Sequence, residues 1–142
     1  MNLIQILSKA DPNRRKKSSG YSPRLVRWEE KLAEFIWNVS GSSGIHTQRV
    51  QISPVGWRLI QPQFKGVVDE DEALEKFKEV GKNVDIKLSC DCPDFLYGGF
   101  AYIAHKLGYG LISETRSPNV RNRTLKGTVC KHLLAVLDEM RG

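Results

Sequence analysis

The chain has 142 residues, 40% of them apolar, with three Trp, five Phe and four Tyr; that suffices for the core of one ordinary domain and excludes a fully disordered chain. Its 22 Lys+Arg against 16 Asp+Glu give a formal charge of +6, which suits a polyanionic partner without deciding the fold. No apolar run approaches the ~18 residues of a membrane helix, the N-terminus is apolar first and basic second, the reverse of a secretory signal, and three cysteines leave one over in any disulfide framework.

In chain order, residues 2–7 (NLIQIL) are an apolar stub, too short to be a stable helix alone. Arg14, Arg15, Lys16 and Lys17 follow between turn formers, and residues 1–31 hold eight Lys/Arg against three acids. Residues 1–23 are therefore expected to form a mobile basic arm, lying on nucleic acid or an acidic protein surface, or simply solvated. Residues 24–39 (RLVRWEEKLAEFIWNV) place Leu25, Trp28, Leu32, Phe35, Ile36 and Val39 at spacings of three and four, which predicts a helix opened by Ser22-Pro23. Residues 45–52 alternate and lead through Ser53-Pro54-Val55-Gly56 to a second expected strand at 57–61, a hairpin pattern.

Residues 69–80 (DEDEALEKFKEV) predict a helix whose acids crowd the first turn, where they favour the helix dipole. Residues 83–90 alternate as a half-buried strand. Residues 94–107 predict a helix weakened at Gly98-Gly99, residues 108–129 are loop-rich, and a last helix is expected over about 131–140. The expected fold is one small α+β domain, residues 24–142, with a hairpin or sheet and three to four helices.

All three cysteines fall into two tight pairs: Cys90-x-Cys92, and Cys130-x-His132. Four soft or borderline ligands in pairs are what tetrahedral zinc requires. Residues i and i+2 of an extended chain point to one side, so Cys90 and Cys92 present both sulfurs to one point. Gly127 permits a tight approach to Cys130, which then precedes a helix whose N-terminus favours the thiolate. The 37-residue insert, 93–129, costs only ~0.8 kcal/mol more to close than a 15-residue one, against the order of 10 kcal/mol that structural zinc contributes. Four protein ligands close the site, so a structural zinc is expected rather than a catalytic one with an open position. His46, in a strand far from the cysteines, and His105, on the apolar insert helix, are alternative fourth ligands. A Cys130/His132 nucleophile pair lacks a third group to orient the His.

CxC followed at a distance by CxH, with a strand before and a helix after, resembles the SWIM-type zinc finger over residues 83–140. The resemblance implies a small ββα unit in which Cys90, Cys92, Cys130 and His132 bind one structural zinc. The long insert, CDCPDFLYGGFAYIAHKLG to SPNVRNRTLKGTVCKHLLAVL, is similar to proteins that tailed bacteriophages encode near their virion-structure genes. That similarity implies a non-enzymatic virion component of the capsid, portal, neck or tail region, in contact with other subunits and located in the virion or, during assembly, the reducing host cytoplasm. The alternative is a nucleic-acid-binding protein whose arm (Arg14, Arg15, Lys16, Lys17) and loop 116–131 (Arg116, Arg121, Arg123, Lys126) make nonspecific phosphate contacts with DNA. No Gly-rich phosphate loop or nucleophile elbow suggests an enzyme.

Overall fold

The computed structural model describes residues 1–42, 44–118 and 126–142. Among them, β1 (Arg24–Glu29), β2 (Glu34–Gly41), β3 (Gly44–Ile52) and β4 (Ile86–Cys90) form one antiparallel sheet in that order. Phe35, Trp37, Val39, Val50, Ile52, Ile86 and Leu88 are at most 2% exposed and share one face, as period-two side chains do. Seven α-helices among the described residues complete an α+β fold: α1 (Leu3–Ser8), α2 (Pro12–Ser18), α3 (Pro54–Ile60), α4 (Glu70–Val80), α5 (Pro93–Tyr97), α6 (Phe100–Leu107) and α7 (Lys131–Arg141). The count exceeds the three or four expected because several are one or two turns long and the insert helix is split at Gly98-Gly99.

α7 is the hub. His132 to Leu137 are all buried, so the helix is enclosed almost all round, and it touches α1, α2, α4, β3 and β4. α4 starts where its acids predict, with the Asp69 carboxylate accepting from Glu72 N–H at 2.9 Å, and Phe77 meets Phe35 edge-on at 5.7 Å. The outer edge of β4 is covered by chain: Ile86 N–H donates to Met1 O at 3.1 Å, and Leu88 exchanges bonds of 2.9 Å with Tyr109 and Leu111.

Three expectations are corrected. The helix over 24–39 is instead the β1–β2 hairpin, turned by Glu30–Leu32 and by Ala33 at φ 51°. Its helical spacing has a sheet origin. Leu25 pairs with Trp37 and Trp28 with Phe35, and the bulged residue Val26 adds one position to β1. Two residues three apart therefore reach the same face. Further on, the aromatic and β-branched run Phe35-Ile36-Trp37-Asn38-Val39 favours strand.

The expected second strand at 57–61 is part of α3 and the short turn after it. The hydroxyl of Ser53 accepts from Gly56 N–H at 3.2 Å and Pro54 takes the first turn. The Ser-Pro start signal thus operates at residue 53, not at residue 22.

The basic arm is folded. Asn2 and Gln5 form a reciprocal capping box at 2.9 Å, and Asp11 with Pro12 opens α2. Neither helix is long enough to persist alone. Both are held by packing: Leu3 and Ile6 are fully buried, and α1 and α2 lie on α7.

Candidate metal centre

The site forms where β4 ends and two helices begin. Cys90 is the last residue of β4, Cys92 caps α5, Cys130 caps α7, and His132 sits in the first turn of α7. The long insert thus returns the chain to its starting point, and all four expected ligands converge. Their ligand atoms lie within 4.8 Å of one another, and the residues are 0–3% exposed.

The approach to Cys130 is pinned from several sides. Gly127 has φ 83°, and a Cβ there would come within 2.9 Å of Asp11 Cβ, so no other residue fits without moving α2. Thr128 Oγ1 donates to Ile6 O at 2.8 Å, while its carbonyl accepts from Tyr109 Oη at 2.8 Å. Burial holds the Tyr109 hydroxyl well above the usual tyrosine range. On the other flank, a Cβ on Gly41 would lie 2.9 Å from His132 Nε2, so the end of β2 must be glycine for the imidazole to sit there. Tyr21 meets the His132 ring edge-on at 5.0 Å.

The donor set fits zinc. Zn–S bonds of ~2.3 Å in a tetrahedron separate sulfurs by roughly 3.8 Å, within the observed spread. Both His132 ring nitrogens are buried without a hydrogen-bond partner, which is costly for a polar ring. A metal supplies the missing partner for one of them. The cysteines are all free thiols.

Without metal the three sulfurs compete for charge. Hydrogen bonding with Cys130 and Cys90, the nearby His132 side chain and Phe95 N–H at 3.4 Å hold Cys92 well below the usual thiol range. Burial first, then hydrogen bonding with Cys90 and Cys92, pushes Cys130 well up. For Cys90 the hydrogen bond with Cys130 acts downward, but the bond with Cys92 and burial prevail and push it up to about 12. Zinc requires all three as thiolates, so loading displaces protons.

His46 is closer than its place in the sequence suggests. β3 pairs with β4, and the His46 ring lies 5.0 Å from the His132 ring, with Nδ1 3.3 Å from Asp91 Oδ1. It remains outside the Cys3His group, as does the exposed His105 on α6. Gln48, opposite Cys90 across the β3–β4 ladder, donates from Nε2 to Cys90 Sγ at 3.4 Å. The sequence carries no signal for Gln48 beyond its phase: with His46 it is one of two polar residues in the inward phase of Val50 and Ile52.

The predicted partner-binding cations separate into groups. Arg14 makes a two-point pair with Asp94 at 2.8 and 3.0 Å and lies over the Phe100 ring; Arg15 grips Asp138 of α7 at 2.6 and 2.8 Å. Lys16, Lys17 and Lys126 are exposed, and Arg116 pairs with Glu114 at 3.2 Å. Arg121 and Arg123 lie outside the described residues.

The sequence model of the SWIM zinc finger family matches residues 74–101 and 124–139, the two segments that carry the CxC and CxH pairs. That match, confined to these two segments, and the buried Cys3His group support a SWIM-type zinc finger there, with one bound zinc ion. Comparison with the curated proteins gave no match, nor did comparison with the solved structures. Among the described residues, no helix is long and apolar enough to cross a membrane.

Proposed function

We propose that this is a non-enzymatic assembly protein, stabilised by zinc and acting through protein–protein contacts as a virion component of a tailed bacteriophage. The observation that carries the structural reading is closure of the metal site: four protein ligands, each at most 3% exposed, leave no position for a substrate or a reactive water. The zinc then contributes fold stability in a reducing compartment where disulfides do not persist. Val55, Leu59, Val68 and Tyr97 are 69–80% exposed, which supports contacts with other subunits. The long insert between the ligand pairs supports the virion assignment through its similarity to phage-encoded proteins.

The nucleic-acid alternative rests on the arm and the loop, and Arg14 and Arg15 of the arm are engaged in internal pairs. Lys16 and Lys17 remain for phosphate contacts. Two measurements test the proposal. Mass spectrometry of purified particles is expected to find the protein at fixed copy number, and its absence overturns the assembly reading. Titration with duplex DNA at low salt is expected to give no saturable binding; tight, salt-sensitive binding favours the alternative.

A further inference from the structure

We propose that Gln48 is a built part of the zinc site, a buried amide whose N–H···S hydrogen bond to Cys90 sets how tightly the metal is held. Gln48 is 0% exposed, in a position where Val50 and Ile52 of the same strand face are apolar. Burying a side-chain amide is unfavourable unless its groups are used. Packing alone calls for Leu or Met there.

The hydrogen bonds fix which way the amide points. Nε2 lies 2.9 Å from His46 O and 3.4 Å from Cys90 Sγ. A carbonyl only accepts, so the atom facing His46 is the nitrogen, and its second hydrogen is left for the sulfur. The opposite orientation would set oxygen against oxygen and against a thiolate. The cost shows on the far side of the group. Gln48 Oε1 is buried with no partner, and so is the indole Nε1 of Trp37, its pairing partner across β2. The amide thus serves the metal side of its position while its own oxygen goes unpaired.

Three thiolates and one imidazole around Zn²⁺ carry one net negative charge inside the core. Donors to sulfur disperse that charge and orient the ligands, as outer-shell partners of metal sites do. Cys92 receives a backbone donor, Phe95 N–H, whereas Cys130 makes no such bond as the cap of α7. Gln48 supplies the sulfur donor that a point substitution removes without altering the backbone.

The test uses the full chain carrying Gln48→Met, which keeps length and volume but cannot donate. Trp37→Phe, at the paired position, serves as a packing control. In Gln48→Met the thiolate-to-metal charge-transfer band of the Co²⁺-loaded protein is expected to shift, and zinc affinity measured against a competing chelator to fall by about 10- to 100-fold. Trp37→Phe is expected to leave both unchanged. An unchanged band and affinity in Gln48→Met overturns the proposal, as do equal changes in both variants. If Gln48→Met does not fold, the unsubstituted chain is loaded with a spin-active cadmium isotope. Scalar coupling between the Gln48 side-chain amide proton and the metal across the sulfur supports the bond, and its absence overturns it.

Discussion

Two regions hold α7 by different means. Its first turn is held by the metal corner, where Cys130 and His132 join Cys90 and Cys92 through one ion. Its flank is held by residues 1–23, where Leu3 and Ile6 bury apolar surface and Arg15 pairs with Asp138. The first clamp concentrates a large free energy in four side chains; the second spreads modest terms over two short helices that cannot form alone. The clamps also touch each other, since Thr128, two residues before Cys130, donates to Ile6 O at 2.8 Å. The contrast separates what zinc contributes from what ordinary packing contributes.

Metal removal has the largest expected effect. Structural zinc contributes on the order of 10 kcal/mol, comparable with the whole net stability of a domain, roughly 5–15 kcal/mol. Chelation, or Cys90→Ser with Cys92→Ser, is expected to abolish cooperative thermal unfolding of the C-terminal half. Circular dichroism with and without chelator measures it, and an unchanged melting curve removes the zinc from the stability account. Next comes Ile6→Ala. Ile6 is fully buried, so truncation is expected to cost ~2–5 kcal/mol and to lower the melting temperature by about 2–4 °C per kcal/mol. Zinc stoichiometry by native mass spectrometry should stay at one. Loss of zinc in Ile6→Ala would mean that the two clamps are a single unit.

The two clamps were unequally legible in the sequence. The metal corner could be read because its chemistry is local: ligand pairs two residues apart, each beside an element boundary, need no tertiary knowledge. α4 and β4 were legible for the same reason, through a cap with its acids and a clean alternation. The N-terminal clamp was not, because its reasons lie far away. Arg14 and Asp94 are 80 residues apart and Arg15 and Asp138 are 123 apart, so the run Arg14–Lys17 reads as an unpaired charge cluster. β1 is hidden by its bulge, which displaces Trp28 into a helical spacing from Leu25. The nearness of His46 and Gln48 to the site needed the β3–β4 register, which the spacing of ligands does not contain.

Tyr109→Phe tests the hydrogen bond that steadies the approach to Cys130. The lost bond to Thr128 O is expected to cost ~1 kcal/mol at neutral pH. The pH dependence has a definite sign. Burial raises the folded-state pKa of Tyr109, while tyrosine in an unfolded chain ionises near pH ~10. The folded chain then holds a proton that the unfolded chain has lost. The contribution is therefore complete below pH ~10 and declines as pH rises beyond it. Urea unfolding across that range is expected to show the wild type losing stability more steeply than Tyr109→Phe; parallel curves would remove Tyr109 from the alkaline response.

The smallest effect is expected for Arg15→Met. Its partner Asp138 and Arg15 itself are each about one-third exposed, and solvent screens such pairs, so the expected loss is ~0.5–1 kcal/mol in spite of the two-point geometry. Salt decides whether the clamp is electrostatic. In the parent, raising ionic strength to ~1 M shortens the screening length to about 3 Å and should remove most of the difference from Arg15→Met. A difference that persists in high salt means instead that the Arg15 stem packs on α7 and the charge is incidental. In either case zinc binding should be unaffected, because Arg15 reaches α7 at Asp138, near its far end from the cysteines.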